Sequence, residues 1–183
     1  MHTNLSKIAV ILGLCFAAVN LYGLIKPTAF GAAVRKFPRS TGIGYILVLF
    51  GTAWFVWNLK QESISDFESL KPVLFALFIA VGLGTCIFVK DFIAVRGLAI
   101  VFLLLAKLMV DAGRPHLGET HWVLVIQAWA YLLVVAGIWF TVSPWRLRDL
   151  LYWATGNEKR IRVGSGVRMA FGLFVAILGL TVF

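Results

Sequence analysis

Acidic side chains are few in this chain, and none of the eight falls inside a long apolar run. Carriers that couple transport to protons or sodium usually hold carboxylates within their spans, so that class lacks its chemistry here. Histidine is scarcer still, with three in 183 residues and none in an apolar run. A haem held between helices by two imidazoles is therefore not expected. Intramembrane proteolysis also lacks its parts, since no run carries a serine with a histidine, two aspartates or the HExxH pattern. The two cysteines, Cys15 and Cys86, stand about 10 and about 20 Å below the same end of their runs by helical rise, too far apart in depth for a disulfide. An enzyme is the class with least support, and neither catalytic residues nor a cofactor are expected.

What the chain has in excess is apolar surface. Apolar residues make up 61% of it and the mean hydropathy is +0.92, more than one soluble core requires. Six runs approach the length that crosses about 30 Å of hydrocarbon. They are residues 8–25, 42–59, 72–89, 92–110, 122–142 and 163–183. Unpaired backbone groups are prohibitively costly in lipid, and the alternation of a membrane barrel is absent, so these runs predict helices. The expected fold class is all-α: a single polytopic transmembrane domain of about six helices in three hairpins.

Charge placement predicts orientation. Lys26, Arg35, Lys36, Arg39, Lys90, Arg96, Arg146, Arg148, Lys159, Arg160, Arg162 and Arg168 fall on one set of alternate loops and span ends. Lys7, Lys60, Lys71, Lys107 and Arg114 fall on the other. The positive-inside rule makes the first set cytoplasmic and both termini external. Glu62, Asp66, Glu68, Asp111 and Glu119 cancel the external cations, so the net charge of +9 lies on one face. The four cations that follow the first run also argue against a cleavable signal peptide, which keeps its more basic flank at its start. The expected location is a cell membrane of the bacterial inner-membrane type. Anionic lipid headgroups are the expected partners of the basic face, and no nucleic-acid motif accompanies it.

Two loops on the basic side share a pattern. Each follows a proline, Pro27 or Pro144, with apolar residues at offsets three, six, seven and ten: Phe30, Ala33, Val34 and Phe37, then Leu147, Leu150, Leu151 and Ala154. This spacing places four side chains on one helical face, as in an amphipathic interfacial helix and an internal repeat. Arg35, Lys36, Arg146, Arg148, Lys159, Arg160 and Arg162 become the candidate surface for lipid or for a partner chain. The stretch SPWRLRDLLYWATGNEKRIRVGSGVRMAFGLFVAILGLTVF, residues 143–183, resembles the small two-span bacterial membrane proteins of the YjeT kind, whose function is unknown. The likeness lies in a proline, an aromatic and basic segment, a polar turn and a glycine-bearing final span. It covers about a quarter of the chain, transfers no catalytic residue and implies a reusable membrane hairpin.

Within the runs the ionisable residues are Arg96, Lys107 and Arg168. Each lies close enough to a span end to snorkel, and Lys107 has Asp111 one turn away. Asn20, Asn58 and Gln127 offer interhelical hydrogen bonds. Gly13 with Ala17, Ala76 with Ala80 and Gly84, and Gly166 with Ala170 offer close helix contacts. A two-residue link, Lys90-Asp91, makes the third and fourth spans antiparallel neighbours whose small residues face one another. His116, Glu119 and His121 are weak candidates for a divalent ion. Trp129 alone among the tryptophans is mid-span, open to core packing or an apolar pocket. Two functional classes remain. The first is a structural or accessory component of a membrane assembly, with other membrane subunits or itself as partner. The second is a small transporter or channel for an uncharged or anionic solute, for which Gly82 and Gly84 mid-span are the best argument.

Overall fold

The computed structural model describes residues 5–62 and 70–183, and statements below concern those residues. Asp66 and Glu68, assigned above to a loop at the less basic end, lie outside them. The chain forms eight α-helices: α1 (Leu5–Ile25), α2 (Pro27–Lys36), α3 (Thr41–Gln61), α4 (Lys71–Phe88), α5 (Ile93–Gly113), α6 (Val123–Val142), α7 (Trp145–Ala154) and α8 (Glu158–Thr181). No strand occurs among the described residues. Six helices, all but α2 and α7, are long and apolar enough to cross a membrane. The protein is a multi-pass, all-α membrane protein.

Local chemistry explains where the helices begin and turn. The sequence pattern starts the last span at residue 163, but α8 begins five residues earlier. Asn157 caps it, its side-chain oxygen accepting from the Arg160 N–H at 2.8 Å, which satisfies one of the free donors of a helix start. Pro27 occupies the first turn of α2, where a missing N–H costs nothing. Both amphipathic segments fold as ten-residue helices, α2 and α7. Between α4 and α5 the reversal is completed by Phe92, whose φ of 53° puts it in the left-handed region. Its ring is held against the core that includes Val95, Ala99, Phe140 and Leu147.

Packing departs from the expected hairpins. The most extensive contact joins α1 to α8, the first and last helices, followed by α5 with α6, α3 with α5, and α3 with α4. None of the three spans joined across the basic end, α1 with α3, α4 with α5 or α6 with α8, forms one of the main contacts. A short link fixes antiparallel direction but leaves the two helices free to splay. In α4, Gly82 is the buried residue, and it lies against the Thr52 side chain of α3. Ala76 and Ala80 are exposed and a Cβ on Gly84 would meet only Phe88 of its own helix, at 3.9 Å, so the expected seam toward α5 is absent.

The α1–α8 contact is a backbone approach. A Cβ on Gly13 would lie 2.5 Å from the Gly172 carbonyl oxygen, and Ala17 and Ala176 complete the seam one turn on. Sequence spacing singled out Gly166 with Ala170 on this helix; the seam instead uses Gly172 and Ala176, and Ala170 faces outward. Such small-xxx-small contacts let dispersion and dipole contacts act where lipid removes the hydrophobic drive. Around this pair, Leu5, Ala9, Met109, Ile126, Ala130 and Val175 form the main core. Trp129 packs between Phe16, at 5.4 Å, and Phe171, at 5.2 Å, which identifies it as a core residue.

Candidate functional site

The turns of the bundle that carry α2 and α7 bring most cations together. Arg35 donates from Nε to the Thr155 hydroxyl at 2.8 Å and from a terminal nitrogen to the Thr155 carbonyl at 2.5 Å. Its guanidinium also lies 5.3 Å from the Tyr152 ring centre. Arg35 thus ties α2 to α7 and caps the C-terminal carbonyls of α7, where a cation opposes the helix dipole. Arg148 pairs with the adjacent Asp149 at 2.7 Å and lies over the Phe92 ring. Lys36, Arg146, Lys159, Arg160 and Arg162 are exposed, as a lipid- or partner-facing surface requires.

The ionisable residues of the spans have separate environments. Arg96 reaches the Thr141 carbonyl in the last turn of α6 at 3.5 Å, while its Nε is buried without a partner. Lys107 lies between two carboxylates, Asp111 at 2.7 Å and Glu62 at 3.0 Å. The Glu62 contact, which links the ends of α3 and α5, has no signature in sequence because the two residues lie on different helices. Arg168 donates through Nε to Asn20 Oδ1 at 2.9 Å. Gln127 reaches the Val110 carbonyl of α5 at 3.4 Å, whereas Asn58 bonds back to Trp54 on its own helix. Two of the three expected interhelical amides therefore act between helices.

Two cavities frame the possible chemistry. The first, of about 440 Å³, lies in the gap between α4 and α5 and is floored by α3; Gly51, Thr52, Phe78, Val81, Thr85 and Leu104 are among its lining residues. The second, of about 470 Å³, lies between α7 and the start of α8. It combines Trp153, Ala154 and Val163 with Lys159, Arg160 and Arg168. Neither was legible as a cavity, because each depends on the angle at which two consecutive helices splay, which sequence spacing does not fix. In the 114–121 loop, His116 and Glu119 contact one another at 2.5 Å. No group of three histidine, cysteine or carboxylate side chains able to hold a metal occurs among the described residues, so His116, Glu119 and His121 do not converge. No protein-family model, curated protein or solved structure matches the chain.

Proposed function

We propose that this protein is an accessory or structural component of a membrane assembly, lodged in a membrane of the bacterial inner-membrane type. Both termini face outward and the α2–α7 end faces the cytoplasm. The observation that carries the assembly role is the position of α4. This span packs on α3 and leaves a gap toward α5 lined by the exposed apolar side chains of Val81 and Leu103. A splayed apolar span offers a helix of another subunit a seat between α4 and α5, next to the hydroxyls of Thr52 and Thr85. Those hydroxyls already bond back to carbonyls of their own helices at 2.8 Å, which suits an apolar partner better than a polar solute. The likeness of the α6–α8 hairpin to YjeT-kind proteins supports its use as a membrane module around which such an assembly is built.

The transporter reading is weaker. Its sequence argument, glycines mid-way along α4, is answered at Gly82 by packing on Thr52. A photocrosslinking residue at Val81, which is 56% exposed, tests the proposal in native membranes. The accessory role requires one discrete protein adduct at this position and none from a site such as Leu132 on the far face of α6. Lipid adducts alone at Val81 would overturn it.

A further inference from the structure

The groove between α7 and α8 carries an inference that does not depend on the α4–α5 gap. It refines the general attraction of the basic end for anionic headgroups into one site. Three cations line it and no carboxylate does. Arg168 is held in a fixed pose: its Nε donates to Asn20 Oδ1, and the Asn20 amide is oriented by donating in turn to the Phe16 carbonyl at 2.8 Å. Asn20 is itself 3% exposed, so this support is rigid. The guanidinium lies back across Gly164, where a Cβ would come within 3.3 Å of one terminal nitrogen and 3.4 Å of the other. Long side chains on a helix lean toward its start, and glycine here leaves the room for this one to do so. Neither terminal nitrogen has a hydrogen-bond partner among the described residues, and Arg168 lines the groove.

A half-buried guanidinium with two free donor edges and no counter-ion is costly at a hydrocarbon boundary, and a phosphate removes that cost while matching the planar donor geometry. About 12 Å of helix separates Arg160 from Arg168 by helical rise. Arg160 lies over the Trp153 ring at 5.6 Å, and Lys159 stands beside it at the polar start of α8. Phosphate at Arg168 therefore places the rest of a polar headgroup toward Arg160 and Lys159. The apolar walls, Trp153, Ala154 and Val163, suit a lipid rather than a soluble phosphate. We infer that the α7–α8 groove is a specific binding site for an anionic glycerophospholipid, with Arg168 as the phosphate ligand.

The full-length protein in mild detergent, offered equal amounts of phosphatidylglycerol and phosphatidylcholine and read by native mass spectrometry, tests this. Phosphatidylglycerol should be retained selectively, and Arg168→Gln should weaken its retention about tenfold, the loss of one charge-assisted hydrogen-bonding group. Arg160→Gln should weaken it less. Gly164→Leu, which keeps every charge but fills the groove, should also abolish selectivity, and it serves if Arg168→Gln fails to elute as a folded species. Arg39→Gln removes an equal charge from the same end of the bundle, outside the groove, and should leave retention unchanged. Equal losses from Arg39→Gln and Arg168→Gln would reduce the effect to general surface charge and overturn the site. Thermal stabilisation by inorganic phosphate equal to that by phosphatidylglycerol would overturn the lipid as its occupant. Neither outcome bears on crosslinking at Val81, so the two proposals fail separately.

Discussion

The carbonyl oxygen of Gly172 stands 2.5 Å from where a Cβ on Gly13 would be, and that of Gly13 stands 2.7 Å from where one on Gly172 would be. The two backbones are thus in mutual contact at residues of the first and last helices. Any side chain on Gly172 forces the helices apart. Gly172→Ala should lower stability in detergent by about 1–3 kcal/mol, the usual cost of overpacking. Gly166→Ala is the control, since its Cβ would meet nothing closer than Leu24 Cδ2 at 3.8 Å. Thermal unfolding followed by circular dichroism should show a lower midpoint for the first variant alone.

The α3–α4 contact gives a second test. Gly82→Leu drives a side chain into Thr52, whereas Gly84→Leu adds a Cβ that meets only Phe88 Cδ2 of its own helix, at 3.9 Å. The expected result is a loss of about 1–3 kcal/mol for the former and little change for the latter. Equal melting temperatures would mean that α4 packs elsewhere.

Arg35 supplies a third. Replacing it by Gln removes both bonds to Thr155 and the contact with Tyr152. Because the side chain is half-buried and screened, the cost should be about 1 kcal/mol, near the value of a typical hydrogen bond. Limited proteolysis at the α7–α8 turn should quicken, and Lys36→Gln, on an exposed neighbour, should not have that effect.

Orientation is tested by single cysteines in a background lacking Cys15 and Cys86. A cysteine at Gln61 should react with an impermeant maleimide in intact cells, and one at Asn157 only after lysis, as the twelve cations against five require. The reverse pattern would invert the topology, and equal labelling at both positions would refute six crossings.

The spans were legible because a hydrocarbon layer imposes its thickness on any chain that crosses it, and the six apolar runs carry that imprint directly. The amphipathic helices were legible for a similar reason, through the spacing of residues such as Phe30, Val34, Leu147 and Leu151. Partner choice was not. In lipid every span is apolar all round, so the side that packs is marked only by small residues, and these are frequent enough to mislead. Gly13 and Ala17 lie in the α1–α8 seam, Gly166 and Ala170 do not, and in α4 it is Gly82 rather than Gly84 that is buried. Among candidate site residues, Arg168 is legible in the sequence as a cation within the last apolar run. Its hydrogen bond to Asn20, 148 residues away, arises from the α1–α8 pairing, which no local pattern encodes, and the groove beside it from the splay of α7 against α8. A separation of 45 residues likewise hides the Lys107–Glu62 contact.

Closing the bundle by its first and last helices has a consequence for biogenesis. Gly13 leaves the ribosome 159 residues before Gly172, a delay of roughly 8–30 s at ordinary elongation rates. Through that interval α1 is inserted with its glycine-lined face bare, while α3 to α6 assemble beside it. The nascent chain therefore needs a temporary companion for α1, whether the insertion machinery or surrounding lipid, and α8 displaces it once it is inserted.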